Sequence, residues 1–77
     1  MKSIYSDEYI NIITNLRNIR ISKQITQDEL ANMLGVNQSF VSKVENRERR
    51  LDVVEFLCWI DALNISVTNI LPQKYIF

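Results

Sequence analysis

Residues 26–46, TQDELANMLGVNQSFVSKVEN, read as two short helices joined by a tight turn, and the rest of the 77-residue chain is arranged around them. Thr26-Gln27-Asp28-Glu29 has the form of a capping box, in which the Thr26 hydroxyl accepts a free amide while Glu29 reaches back to the Thr26 N–H. Leu30, Ala31, Met33 and Leu34 then offer one apolar face. Gly35 follows where a helix end favours positive φ. Asn37 is a good N-cap for a second helix through Val44 or Glu45.

On a helical wheel the second helix has two faces. Val36, Phe40, Val41 and Val44 fall on one side, and Gln38, Ser39, Ser42, Lys43 and Asn46 on the other. A core can grip such a helix from one side while amides, hydroxyls and an ammonium point outward. Gln pairs with adenine N6/N7, Lys with guanine O6/N7, and Ser with several base edges. An isolated polar helix face is usually just solvated. Behind a capping box, a short turn and a preceding helix, this one is expected to read DNA. Phe40 borders that face, where it can touch a thymine methyl, but packing in the core is its expected role.

The stretch resembles the helix-turn-helix of the lambda-repressor-like, XRE-type family of bacterial and phage regulators, whose usual run is T-Q-x-E-L-A-x-x-L-G-V-x-x-S-x-[VI]-S-K-x-E-N. The likeness extends through Leu16 and Arg20 upstream and Ala62, Leu63 and Ile65 downstream, over roughly residues 10–71. It implies an all-α, five-helix domain that binds double-stranded DNA as a homodimer, with helix three in the major groove and helix two across the backbone. It implies base contacts from Gln38, Ser39, Ser42 and Lys43, and a phosphate contact from Gln27. It also pairs Arg20 with Glu45, tying the first helix to the reading helix. The family commonly has Gly where this chain has Arg47; Asn46 can take the left-handed conformation instead, and the resemblance leaves the course of the loop at Asn46-Arg47 open. Among free-standing members the chain resembles small controller proteins of restriction–modification systems first, then Cro-like repressors and some antitoxins.

Composition removes most other functions. The chain has no His, one Cys (Cys58), one Gly and one Pro. Zinc binding, Ser-His-Asp or Cys-His catalysis and a glycine-rich phosphate loop all lack material, so neither an enzyme nor a cofactor, metal or small-molecule ligand is expected. The N-terminal MKSIYSDEY has no apolar signal-peptide core, and no run approaches the ~18 apolar residues needed to span a bilayer. No membrane partner and a cytoplasmic location are the expectations.

Net charge is zero, unusual for a nucleic-acid binder, but the charges are segregated. Lys43, Arg47, Arg49 and Arg50 gather at the end of the reading segment, and Arg17, Arg20 and Lys23 near the end of the first helix. Asp7, Glu8, Asp52, Glu55 and Asp61 carry the acid elsewhere. Asn37, Asn46, Arg47, Arg49 and Arg50 are the remaining expected phosphate contacts, the arginines suiting phosphate clamping.

Residues 1–77 form one domain, with a core over 7–71 and a tail over 72–77. Residues 1–5 carry no organising signal. Ser6 or Asp7 opens a helix to about Ser22, with Tyr9, Ile12, Ile13, Leu16 and Ile19 as its buried stripe. Asp52 opens a fourth helix to about Leu63, with Val53, Phe56, Leu57, Ile60 and Leu63 facing the core, Trp59 beside them, and Asn64 ending it. Ser66 caps a fifth, Val67 to Leu71, which Pro72 stops. Val54, Cys58, Ile70, Tyr75, Ile76 and Phe77 are surplus apolar residues and are expected to form a homodimer interface; folding back of the tail on its own domain is the alternative. The rival to a DNA-binding regulator is an antitoxin or other protein-interaction module on the same fold.

Overall fold

The computed structural model describes residues 6–75, in which four α-helices and no strand occur. They are α1 (Asp7–Ser22), α2 (Gln27–Leu34), α3 (Gln38–Glu45) and α4 (Val53–Leu63). Each begins on a side-chain cap. Ser6, Thr26, Asn37 and Asp52 accept the amides of Tyr9, Glu29, Phe40 and Glu55, and the boxes at Thr26 and Asp52 are closed by Glu29 and Glu55. These caps satisfy donors that a helix start leaves free, each contributing about 1 kcal/mol.

The helix ends are as local as the starts. Gly35 (φ 72) and Asn64 (φ 55) take the left-handed conformation after α2 and α4. After α3 the residue that does so is Arg47 (φ 60), not Asn46, which stays at φ −85. The Arg47 amide reaches the Val44 carbonyl and the Glu48 amide the Lys43 carbonyl, so the closing turn puts its positive φ at the position where the family commonly has Gly. Holding a non-glycine residue there costs about 1–2 kcal/mol.

Ile13, Leu16, Leu30, Ala31, Val41, Val44, Trp59, Ile60, Leu63 and Ile70 form the core. Four expectations change here. Val53 and Leu57 are exposed, and the fully buried Trp59 takes the interior position beside Ile60 and Leu63. VVEFLCWIDAL is apolar around most of its circumference, so periodicity does not choose its inward face; burying the indole does. Met33 is exposed, while Leu34 is half-buried. Ile70 is a core residue, 2% exposed, and not available to an interface.

The fourth change is the expected fifth helix, which is a single 3₁₀ turn, Val67–Asn69, followed by another at Gln73–Tyr75. Ser66 bonds the Thr68 amide and Asn69 bonds the Ser66 amide, closing a tight local ring. So short a segment cannot offset helix nucleation, and Pro72 disfavours the helical conformation at Leu71. Ile76 and Phe77, named for an interface, and residues 1–5 lie outside the described residues. Among the described residues no helix is long and apolar enough to cross a membrane.

Candidate nucleic-acid interface

α2 and α3 make the closest helix pair, with α3 seated on Val41 and Val44, both essentially fully buried. That seating turns the other side of α3 outward. Gln38, Ser39, Lys43 and Asn46 are exposed, and Ser42 is half-buried beneath the Asn46 amide (3.4 Å). Four of these five groups carry hydrogen-bond donors on short or amide-bearing stems, and Lys43 adds a charge.

A chain of polar contacts runs from the core to the start of this face. The Arg20 guanidinium grips the Glu45 carboxylate with two bonds, Nε to Oε2 at 2.7 Å and Nη2 to Oε1 at 3.0 Å. Both residues are buried, and Nη1 of Arg20 donates to the Ile25 carbonyl at 2.7 Å. Gln27 Nε2 donates to Glu45 Oε1 at 2.9 Å, and Gln38 Nε2 donates to Gln27 Oε1 at 3.2 Å. The first turns of α2 and α3 are thus tied to one ion pair anchored on α1. Gln27, expected at a phosphate, also orients Gln38.

Asn37 uses its carboxamide oxygen for the Phe40 amide and for the Ser39 hydroxyl (2.6 Å), so only its NH₂ remains for an outside acceptor. Beyond α3 the three arginines have different surroundings. Arg49, expected at a phosphate, is engaged within the chain while its side chain stays 41% exposed. Its guanidinium makes two 2.9 Å bonds to Glu55 and one to the Arg50 carbonyl, and lies 4.3 Å from the Phe40 ring centre. That bidentate pair and the Asp52 amide hold the Glu55 carboxyl below its ordinary pKa, and Glu55 raises that of Arg49. Arg50 lies over the Tyr9 ring at 5.9 Å, and the Tyr9 hydroxyl accepts the Leu51 amide at 2.9 Å. Arg47 is half-buried, with its Nε enclosed.

Arg49, Phe40, Glu55 and Tyr9 together fix the path between α3 and α4, and sequence reasoning does not find them as a group. Arg49 and Glu55 stand six apart across the Asp52 cap, a separation with no helical periodicity, and Tyr9 reaches a residue 42 positions away. The residues named for an interface separate as well. Val54, Cys58 and Tyr75 are exposed, and Val53, Leu57 and Met33 widen the apolar surface of α4 and its surroundings. Beside it Leu34, Phe40, Val54, Cys58 and Trp59 line a shallow apolar cleft of about 150 Å³.

Comparison with known proteins bears on the same region. The helix-turn-helix family model HTH_3 matches residues 16–70. Control protein C.SmaI of Serratia marcescens is 28% identical over 60 residues, which is 78% of this chain and 71% of that protein. The restriction-modification controller protein C.AhdI from Aeromonas hydrophila superposes with a TM-score of 0.72 at 30% identity, over 79% of this chain and 92% of that one. A hypothetical transcription factor from Neisseria superposes with a TM-score of 0.76 at 26% identity, over 90% of this chain and 80% of that one.

Proposed function

The chain belongs to the XRE-type helix-turn-helix family of DNA-binding regulators, and from that premise we propose that it controls transcription by binding an inverted-repeat operator as a homodimer. The observation that carries the reading is the outward face of α3, with Gln38 and Lys43 exposed on a helix whose opposite side is locked in the core. In the major groove Gln38 offers the bidentate amide that suits adenine, and Lys43 a donor for guanine O6 or N7. Ser39 and Ser42 add shorter contacts.

Register on the duplex comes from the backbone contacts. Gln27 keeps one amide hydrogen at the start of α2, and the Asn37 NH₂, Asn46, Arg47 and Arg50 lie at the borders of α3. Arg49 acts instead by holding the loop that carries its neighbours. The exposed apolar surface on α4, together with Tyr75, supports pairing of two copies, and two reading helices related by a two-fold axis meet half-sites about 34 Å apart. Two relatives named as control or controller proteins favour a restriction–modification controller as the biological role.

Selection from random duplex DNA at about 150 mM salt tests this reading. Enrichment of an inverted repeat with half-site centres one helical turn apart is the expected result. No enrichment would move the chain to the protein-interaction reading, with the apolar α4 surface as its binding face.

A further inference from the structure

Beyond the end of α3, Thr14 and Arg17 of α1 face Glu45, Asn46 and Arg47 across a polar cleft of about 250 Å³. We propose that this cleft is an anion site in which Arg17 and Arg47 jointly hold one phosphodiester group of duplex DNA. The proposal rests on the DNA-binding reading above and adds to it a backbone contact made through α1.

Three observations meet in the cleft. Arg47 occupies the left-handed region at φ 60, where glycine would be unstrained. Strain of this kind concentrates where the surroundings use the residue for something else. The Arg47 Nε is enclosed, and among the described residues it finds no acceptor. An enclosed Nε holds the guanidinium in place at the cleft, leaving its outer nitrogens as the donors that can meet an anion there.

The local charge completes the case. Among the described residues Glu45 is the only carboxylate lining the cleft, and its oxygens already accept from Arg20 and Gln27. Arg17 approaches it only to 4.0 Å and remains about half exposed. Two guanidiniums therefore face the cleft against a single carboxylate, whose charge is shared with the buried Arg20. Thr14 supplies a hydroxyl and Asn46 an amide. Guanidinium forks match the geometry of phosphate oxygens. The location selects DNA as the source, since Asn46 belongs both to the cleft and to the outward face of α3, putting the anion beside a helix that lies in the groove.

The full-length chain and two variants, Arg47→Gly and Arg17→Ala, test the site by operator binding at several salt concentrations and by thermal melting. Arg47→Gly should melt about 4 °C higher, by relief of strain, yet bind the operator about tenfold more weakly. One shared phosphate predicts a salt slope reduced by about 0.9 in each single variant and by the same 0.9, not twice that, in the double variant. Unchanged affinity and slope in Arg47→Gly, with the parent still sequence-specific, would overturn the site and leave the regulator standing. A double variant losing about 1.8 in slope would overturn the shared contact. Inorganic phosphate raising the parent Tm, but not that of Arg47→Gly, while operator binding stays unchanged would overturn the DNA assignment. A parent that selects no duplex at all removes the regulator reading, and this site with it.

Discussion

Arg20 and Glu45 are the two charged residues buried among the described residues, and the bidentate geometry between them means that neither can be removed alone without stranding the other. Glu45→Ala should cost about 3–5 kcal/mol in denaturant unfolding, whereas replacing both by apolar residues of similar size should cost far less. Gln38 lies at the other end of the same polar chain. Gln38→Ala should reduce discrimination at one base position by about 1–3 kcal/mol, seen in competition between operator variants, with little change in melting temperature. In the sequence alone Arg20 has no mark of burial, and only the family resemblance singles it out. Arg47, Arg49 and Arg50 look equivalent there. What separates them is three-dimensional: the ring of Phe40 and the carboxylate of Glu55 converge on Arg49 and on neither neighbour.

Helices show the opposite balance. Their starts are open to sequence reasoning because caps act over three or four residues, and all four α-helices begin at a residue with the right side chain; of the stops, Gly35 and Asn64 are legible and the turn at Arg47 is not. The two closed boxes carry a pH signature. Hydrogen bonds with Thr26 hold the Glu29 carboxyl below its ordinary pKa, as Arg49 and the Asp52 amide hold that of Glu55. A lowered folded pKa means that the unfolded chain takes up protons first, so the stabilisation is complete above the ordinary glutamate range, near pH 4.3, and is lost as pH falls through the lower folded values. Glu55→Gln can still close its box but loses the ion pair. Its melting temperature should lie below that of the parent at pH 7, and the gap should narrow towards pH 3. The inward face of α4 was harder to read, because a helix apolar on most sides offers several equivalent stripes. The last segment failed for another reason: Ser66 and Asn69 favour a closed 3₁₀ turn that wheel analysis does not represent.

At the scale of the molecule, a neutral chain must place its charge well to meet DNA, and this one sets Lys43, Arg17 and Arg47 around one end of α3. Val53, Val54, Leu57 and Cys58 lie exposed on α4. If two copies join there, Leu57→Glu should sediment as a monomer at tens of micromolar, where the parent sediments as a dimer, and should lose most operator affinity while keeping its helical circular dichroism. A parent that is itself monomeric at that concentration would rule the pairing out. The interior offers a means of following these events without any label. Trp59 is the sole tryptophan, almost fully shielded from water, with its ring 6.0 Å from that of Phe40 on α3. Its fluorescence should therefore be blue-shifted in the free protein, and any shift of α3 against α4 on meeting an operator should appear in its colour and lifetime.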